Sequence, residues 1–264
     1  MEIAIQSVKN SWKGTLILLL VFSCLAVMVL SIYPGMKESI DMWVDNLPEF
    51  ALTTFGRSGL ELSIVGGYLN MEFYQWGWVF TLGLYFAFIS SSLISKEIEN
   101  KTIDMLLSNP VSRARVVLEK FCGLVPTIIL MNVVVPLVIL GSLKYINETI
   151  DVTYLFYTHF ASILYLCAVC AVGLLFSVIF DETRRANALA IGVISVMYVM
   201  EILSFLSEKY SALGKISIVH YYDPGEILVH HTIEASDAVI LFFITAVLLA
   251  AAAIYFEKRD IAIS

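Results

Sequence analysis

Charge is scarce in this chain. Asp, Glu, Lys and Arg make up only 15% of its 264 residues, against about a quarter in a soluble domain. The formal net charge of −7 excludes the basic surface that a nucleic-acid partner needs. Cysteine is sparse too. Cys24, Cys122, Cys167 and Cys170 all fall inside apolar runs, where an extracellular disulfide would serve nothing. Cys167 and Cys170 have the C-x-x-C spacing of redox and soft-metal sites, but midway along an apolar run they read as small residues of a membrane helix. A phosphate-binding G-x-x-x-x-G-K-S/T loop is lacking; Gly214-Lys215 has none of the rest. So is a G-x-S-x-G elbow, since Gly56-Arg57-Ser58-Gly59 has the wrong spacing. No A-x-A-like site follows the first apolar run, which therefore reads as a retained span and not a cleaved signal. Repeats and low-complexity tracts are missing as well.

What is present is apolar surface in long runs. Hydrophobic residues make up 59% of the chain, and the mean hydropathy is +0.85. Six segments are long enough to cross ~30 Å of hydrocarbon. They are 15–33, 75–94, 121–143, 154–180, 186–206 and 236–256. Tyr33, Trp76, Trp78, Tyr154, Tyr157 and Tyr255 gather at their ends, as an interfacial belt would. The fold class is therefore all-α, a polytopic membrane protein with one transmembrane domain over 1–264. Residues 1–14 are expected to form a short interfacial helix, with Ile3, Ile5, Val8 and Trp12 on one side and Lys9 and Lys13 towards phosphates.

Orientation follows from Lys and Arg. With the N-terminus inside, 11 of the 16 basic residues lie on the cytoplasmic side. That predicts a multi-pass protein of the cell membrane with both termini cytoplasmic. The first outer loop, 34–74, is then long and acidic, with a break expected at Gly66-Gly67 before the second span.

One stretch breaks the apolar pattern. Ser95–Lys120 holds nine charged residues between two spans. Burying it in lipid would cost on the order of 20 kcal/mol, so it faces water. It also carries an apolar stripe. Asp104 favours a helix N-terminus at Thr102–Leu107, Asn109-Pro110 stops that turn, and Ser112 caps a second helix with Val111 and Val116 as a hydrophobic staple. The result is an elbow that offers Met105, Leu106 and Leu107 to a groove in a partner.

The string Glu97-x-x-x-Lys101-Thr102-x-Asp104-x-Leu106-Leu107-Ser108-x-Pro110-Val111-Ser112-Arg113, followed by Lys120-Phe121, resembles the signature of ABC-2 type ABC transporter permeases. The six-span layout, the large first outer loop and the ending Phe256-Glu257-Lys258-Arg259-Asp260 are similar too. The resemblance implies that the stretch is a cytoplasmic coupling helix docked on a separate ATPase subunit. Glu97, Lys101, Thr102, Asp104, Met105, Leu106, Leu107, Ser108, Pro110 and Arg113 would form that contact. Lys101 departs from the pattern, because the family usually has Gly there.

The resemblance further implies a non-catalytic permease that binds no cofactor itself. ATP and Mg would sit on the partner ATPase, and a second permease copy or a sister chain would complete the transporter. Export of an unspecified cargo is the expected activity. A membrane anchor or maturation module acting with an extracytoplasmic protein is the alternative; an intramembrane hydrolase is a weaker one.

Four other groups are candidates. Asp181, Glu182, Arg184 and Arg185, between spans four and five, could make a second ATPase contact or simply follow the positive-inside bias. Glu201 lies roughly 24 Å along its helix from Arg185, and with Asn132 is a candidate for the translocation pathway. An acid at that depth needs a partner, a cavity or outer water. His220, Asp223, Glu226 and His230 have metal-ligand chemistry but read more simply as a polar, capped outer helix, with Asp223 as N-cap and Pro224 at N1. His159 is expected at the membrane interface.

Overall fold

The computed structural model describes residues 2–44, 64–103, 112–206 and 208–259. Six helices are long and apolar enough to cross a membrane, and among the described residues there is no strand.

Helix α1 (Glu2–Val44) is continuous. No break separates an interfacial helix from the first span, and Pro34-Gly35 does not end it. Proline removes one N–H donor and crowds the carbonyl one turn back, yet the helix runs on through Pro34. The buried residues Thr15, Leu18, Phe22, Ala26, Val29, Leu30 and Tyr33 recur every three to four positions. They form one stripe facing the bundle, while Ile17 and Leu20 point outwards.

Helix α2 starts at Val65, ten residues before the sequence suggested. It comprises Val65–Leu69, a π-helical stretch Asn70–Leu82 and Gly83–Ser91. The expected break at Gly66-Gly67 is instead buried helix. A Cβ on Gly66 would meet the Leu228 carbonyl oxygen at 3.5 Å, an ordinary van der Waals contact, so this position packs against a neighbouring segment where a turn was expected. The π stretch adds a residue to each hydrogen-bonded ring and turns Tyr74 and Trp78 inwards together. Trp78 and Tyr33 are thus core residues and not members of an interfacial belt. Phe22, Phe73 and His159 surround the Trp78 ring at centroid distances of 5.6, 5.6 and 5.0 Å.

A tight turn leads from α2 into α3 (Ser95–Glu99). After residues 104–111 come α4 (Arg113–Cys122) and α5 (Val125–Tyr145). Ser112 caps α4 by accepting from the Arg115 N–H at 3.3 Å. Helix α6 (Val152–Ile179) is capped by Asp151, which accepts from the Thr153 N–H at 2.8 Å. Helix α7 (Thr183–Leu206) follows, then α8 (Ser211–Gly214), a 3-10 turn at Ile218–Tyr221, α9 (Pro224–Leu228) and α10 (Ala235–Lys258).

Helix α6 is the axis of the bundle. Its most apolar window is 67% buried, against 28% for α7 and 22% for α10. It meets α2 most closely at Gly173, where a Cβ would lie 2.0 Å from Ser90 Oγ and 2.8 Å from the Ala87 carbonyl oxygen. Only a residue without a side chain fits between those backbones.

Candidate functional site

The basic end of the bundle is tied together by its charges. Helix α3 closes with two reversed bonds: Thr102 N–H to Glu97 O at 2.9 Å and Lys101 N–H to Ile98 O at 3.0 Å. This is a Schellman cap, and it puts Lys101 in the left-handed region at φ 57°. Glycine, with no Cβ, would occupy that position without strain. The Thr102 hydroxyl donates to the Glu97 carboxylate, and the nearly buried Lys120 ammonium donates to it from α4 at 2.9 Å. Glu97 thus joins α3, the start of the connecting segment and α4.

Arg113 reaches the other way. Its guanidinium lies 5.8 Å from the Phe256 ring centroid and donates to the carbonyl oxygens of Phe256 and Arg259. Arg259 in turn donates to the Val178 carbonyl and, at 2.6 Å, to Asp181. Ile103 is buried with Ile94, Val117, Val178, Ala252 and Phe256 in a small separate core. Both ends of the segment 104–111 are therefore fixed to α6 and α10. Asp104, Met105, Leu106, Leu107, Ser108 and Pro110 lie outside the described residues.

The Asp181–Arg185 turn belongs to the same face. The Glu99 carboxylate accepts from the Thr183 N–H at 3.1 Å. Asp181 is engaged by Arg259, Glu182 pairs with Arg185 at 2.8 Å, and Arg184 is exposed. Phe256 and Arg259 were noted in the sequence only as part of the chain's ending, and Ser177 was not singled out. Ser177 Oγ accepts from the backbone N–H groups of Ile94 and Ser95, 2.8 and 3.0 Å away. Arg259 alone offered a signal, as a cation ending an apolar helix.

Asn132 is placed in the interior of this chain's own bundle. Its amide donates to Ile128 O at 2.9 Å, which leaves Oδ1 as the acceptor for His159 Nδ1 at 3.1 Å. With Nδ1 protonated, His159 Nε2 must accept, and the Tyr74 hydroxyl donates to it at 2.9 Å. His159 is 1% exposed, so its expected place at the membrane interface is corrected. Its neighbour Ser162 accepts from Trp78 Nε1 at 2.6 Å. These bonds satisfy groups that would otherwise be stranded in an apolar interior, and they lock α2, α5 and α6 together.

The opposite end holds Glu201. It is 7% exposed, and both its carboxylate oxygens lie near His220 Nδ1, at 3.0 and 3.1 Å. The two residues line a cavity of about 290 Å³ between α6, α7, α10 and the α7–α10 connection. Asp223 and Glu226 line it too. Asp223 caps α9, accepting from the Gly225 and Glu226 N–H groups at 2.9 and 3.2 Å. Burial pushes its carboxyl up to about 6, against the pull of those two donors. His230 is exposed and does not line the cavity. Among the described residues no group of three or more His, Cys, Asp or Glu is arranged to hold a metal ion. The four sequence candidates do not converge: His220 is held by Glu201, and Asp223 by backbone donors.

A bundle of six apolar helices with a charged, internally braced end defines a polytopic membrane component. The chain belongs to the ABC-2 transporter family, since the family model described as "ABC-2 family transporter protein" matches residues 1–261. It is thus the transmembrane component of an ABC transporter, and the family implies an ABC ATPase subunit as partner. A search of curated proteins found no match.

Proposed function

We propose that this chain is the non-catalytic permease of an exporter, driven through its α3–α4 elbow by a separate ATPase. Two permeases pair, as identical copies or sister chains, and each rests on one ATPase. Both termini and the elbow face the cytoplasm of the cell membrane. ATP and Mg sit on the ATPase, and this chain carries no cofactor. Met105, Leu106 and Leu107 enter a groove of the ATPase, with Asp104, Ser108 and Pro110 shaping the turn. The Asp181–Arg185 turn lies beside the elbow as a second contact.

The observation that carries the reading is the brace around residues 104–111. Glu97 ties α3 to α4 through Thr102 and Lys120, and Arg113 ties α4 to the end of α10. A force on the elbow cannot dissipate in a loose loop. It passes into α6 and α10, the axis and one flank of the bundle. The excess of basic residues at this end supports the cytoplasmic placement.

The test is ATP turnover by the reconstituted permease–ATPase complex carrying Leu106→Asp. A charge in an apolar groove costs several kcal/mol, so turnover and co-purification should both fall at least about tenfold. An intact complex with an unaltered rate would overturn the proposal.

A further inference from the structure

We infer that the cavity at the Glu201 end is a binding site for a small organic cation with an apolar body. Its volume of about 290 Å³ fits a ligand at the small end of the usual range. Its walls include four aromatic side chains, Tyr157, Phe160, Phe205 and Tyr221. Five carboxylates, Glu201, Asp223, Glu226, Glu234 and Asp237, share the lining with no Lys or Arg. His220 is the only basic side chain among them.

The aromatic walls decide the ligand's body, and the buried acid decides its charge. Ring faces attract cations and also bury apolar groups. Glu201 is more than nine-tenths buried, and the partner recorded for its carboxylate is one imidazole. The Glu201 carboxylate sits at the wall of a half-enclosed space, where a charge is weakly screened, and the part-buried Asp223 and Glu226 line the same space. An anion would be repelled there. A bare divalent ion would find no converging set of three or more ligands among the described residues. A quaternary or protonated amine with an aromatic or branched group meets both requirements: the head faces the acids and the body lies against the rings. Tyr157 and Phe160 are also exposed on the outside of the bundle, so the cavity adjoins the surface from which an amphipathic cation would enter.

The inference concerns binding, and it stands independently of ATPase coupling. It is tested on the full-length chain in neutral phosphatidylcholine nanodiscs, without any ATPase, by calorimetric titration. The probes are benzyltrimethylammonium, neutral N-tert-butylbenzamide and anionic 4-tert-butylbenzoate. Saturable binding of the ammonium is expected, with the neutral and anionic probes at least about tenfold weaker. Glu226→Gln should weaken the ammonium several-fold, and Glu201→Gln more so. A thermal melt of each variant establishes that it is folded, and Lys37→Gln, at a residue that does not line the cavity, should leave binding unchanged. Equal affinity for the three probes would overturn the inference. So would the absence of saturable ammonium binding, or binding unmoved by a folded Glu226→Gln. Displacement of the ammonium by submillimolar calcium would overturn it in favour of a metal site. A failure of elbow coupling leaves all these results unaffected.

Discussion

The two ends of the bundle use charge in opposite ways. At the basic end the charged groups close on one another. Glu97 holds Lys120, Arg113 covers Phe256, Arg259 holds Asp181, and Glu99 caps the Thr183 turn. At the other end five carboxylates surround a space, and His220 is the one basic side chain among them. The first pattern makes a stiff frame, suited to passing a load into the helices. The second gathers carboxylates around a space, suited to meeting something else.

The largest effect on stability should come between the two ends, where both depend on α2 lying against α6. Gly173→Ala puts a methyl group 2.0 Å from Ser90 Oγ and 2.8 Å from a backbone carbonyl that cannot move aside cheaply. Overpacking of this kind costs 1–3 kcal/mol, occasionally more, so about 3 kcal/mol is expected. Thermal unfolding in lipid nanodiscs checks it, and an unchanged midpoint would mean that α2 and α6 are not in close contact.

Ion pairs sharpen the comparison. Lys120→Met leaves Glu97 half-buried with the Thr102 hydroxyl as its remaining recorded side-chain donor, and should cost about 1–2 kcal/mol. Lys37→Met at the opposite end breaks a more exposed pair with Glu148 and should cost under about 0.5 kcal/mol. Equal losses would show that the basic end is no stiffer than the other.

The smallest effect should have the opposite sign. Lys101→Gly removes a side chain from a left-handed backbone position. It should leave stability unchanged or raise it by up to about 1 kcal/mol. A clear loss would mean that the Lys101 side chain contributes more than its backbone strain costs.

The six crossings were legible in the sequence because apolar length is a strong, local signal. Their ends were less so. Gly66-Gly67 and Pro34-Gly35 are turn signals in isolation, yet both lie within helices. Gly66 lies against the Leu228 backbone of α9, and nothing in the chain's own order announces that contact. The π-helical stretch was invisible too: its apolar residues show no α-helical period.

The braced elbow was half legible. Ser112 as a cap and the charge of Ser95–Lys120 follow from local chemistry. The reach of Arg113 to Phe256, across 143 positions, does not. His159 was misplaced because a lone histidine near the end of an apolar run looks interfacial. Its partners Tyr74 and Asn132 come from two other helices. Glu201 was recognised as an acid in need of company, but its partner His220 and the cavity beside it required the fold.

The central claim is that the ATPase grips the braced end and not the acidic one. Photo-crosslinking tests it most directly, with benzoylphenylalanine placed at Ser108 in one complex and at Glu226 in another. The account predicts a crosslink to the ATPase from position 108 that strengthens or weakens with ATP, and none from position 226. A crosslink from 226 alone, or none from 108 in an active complex, would contradict it.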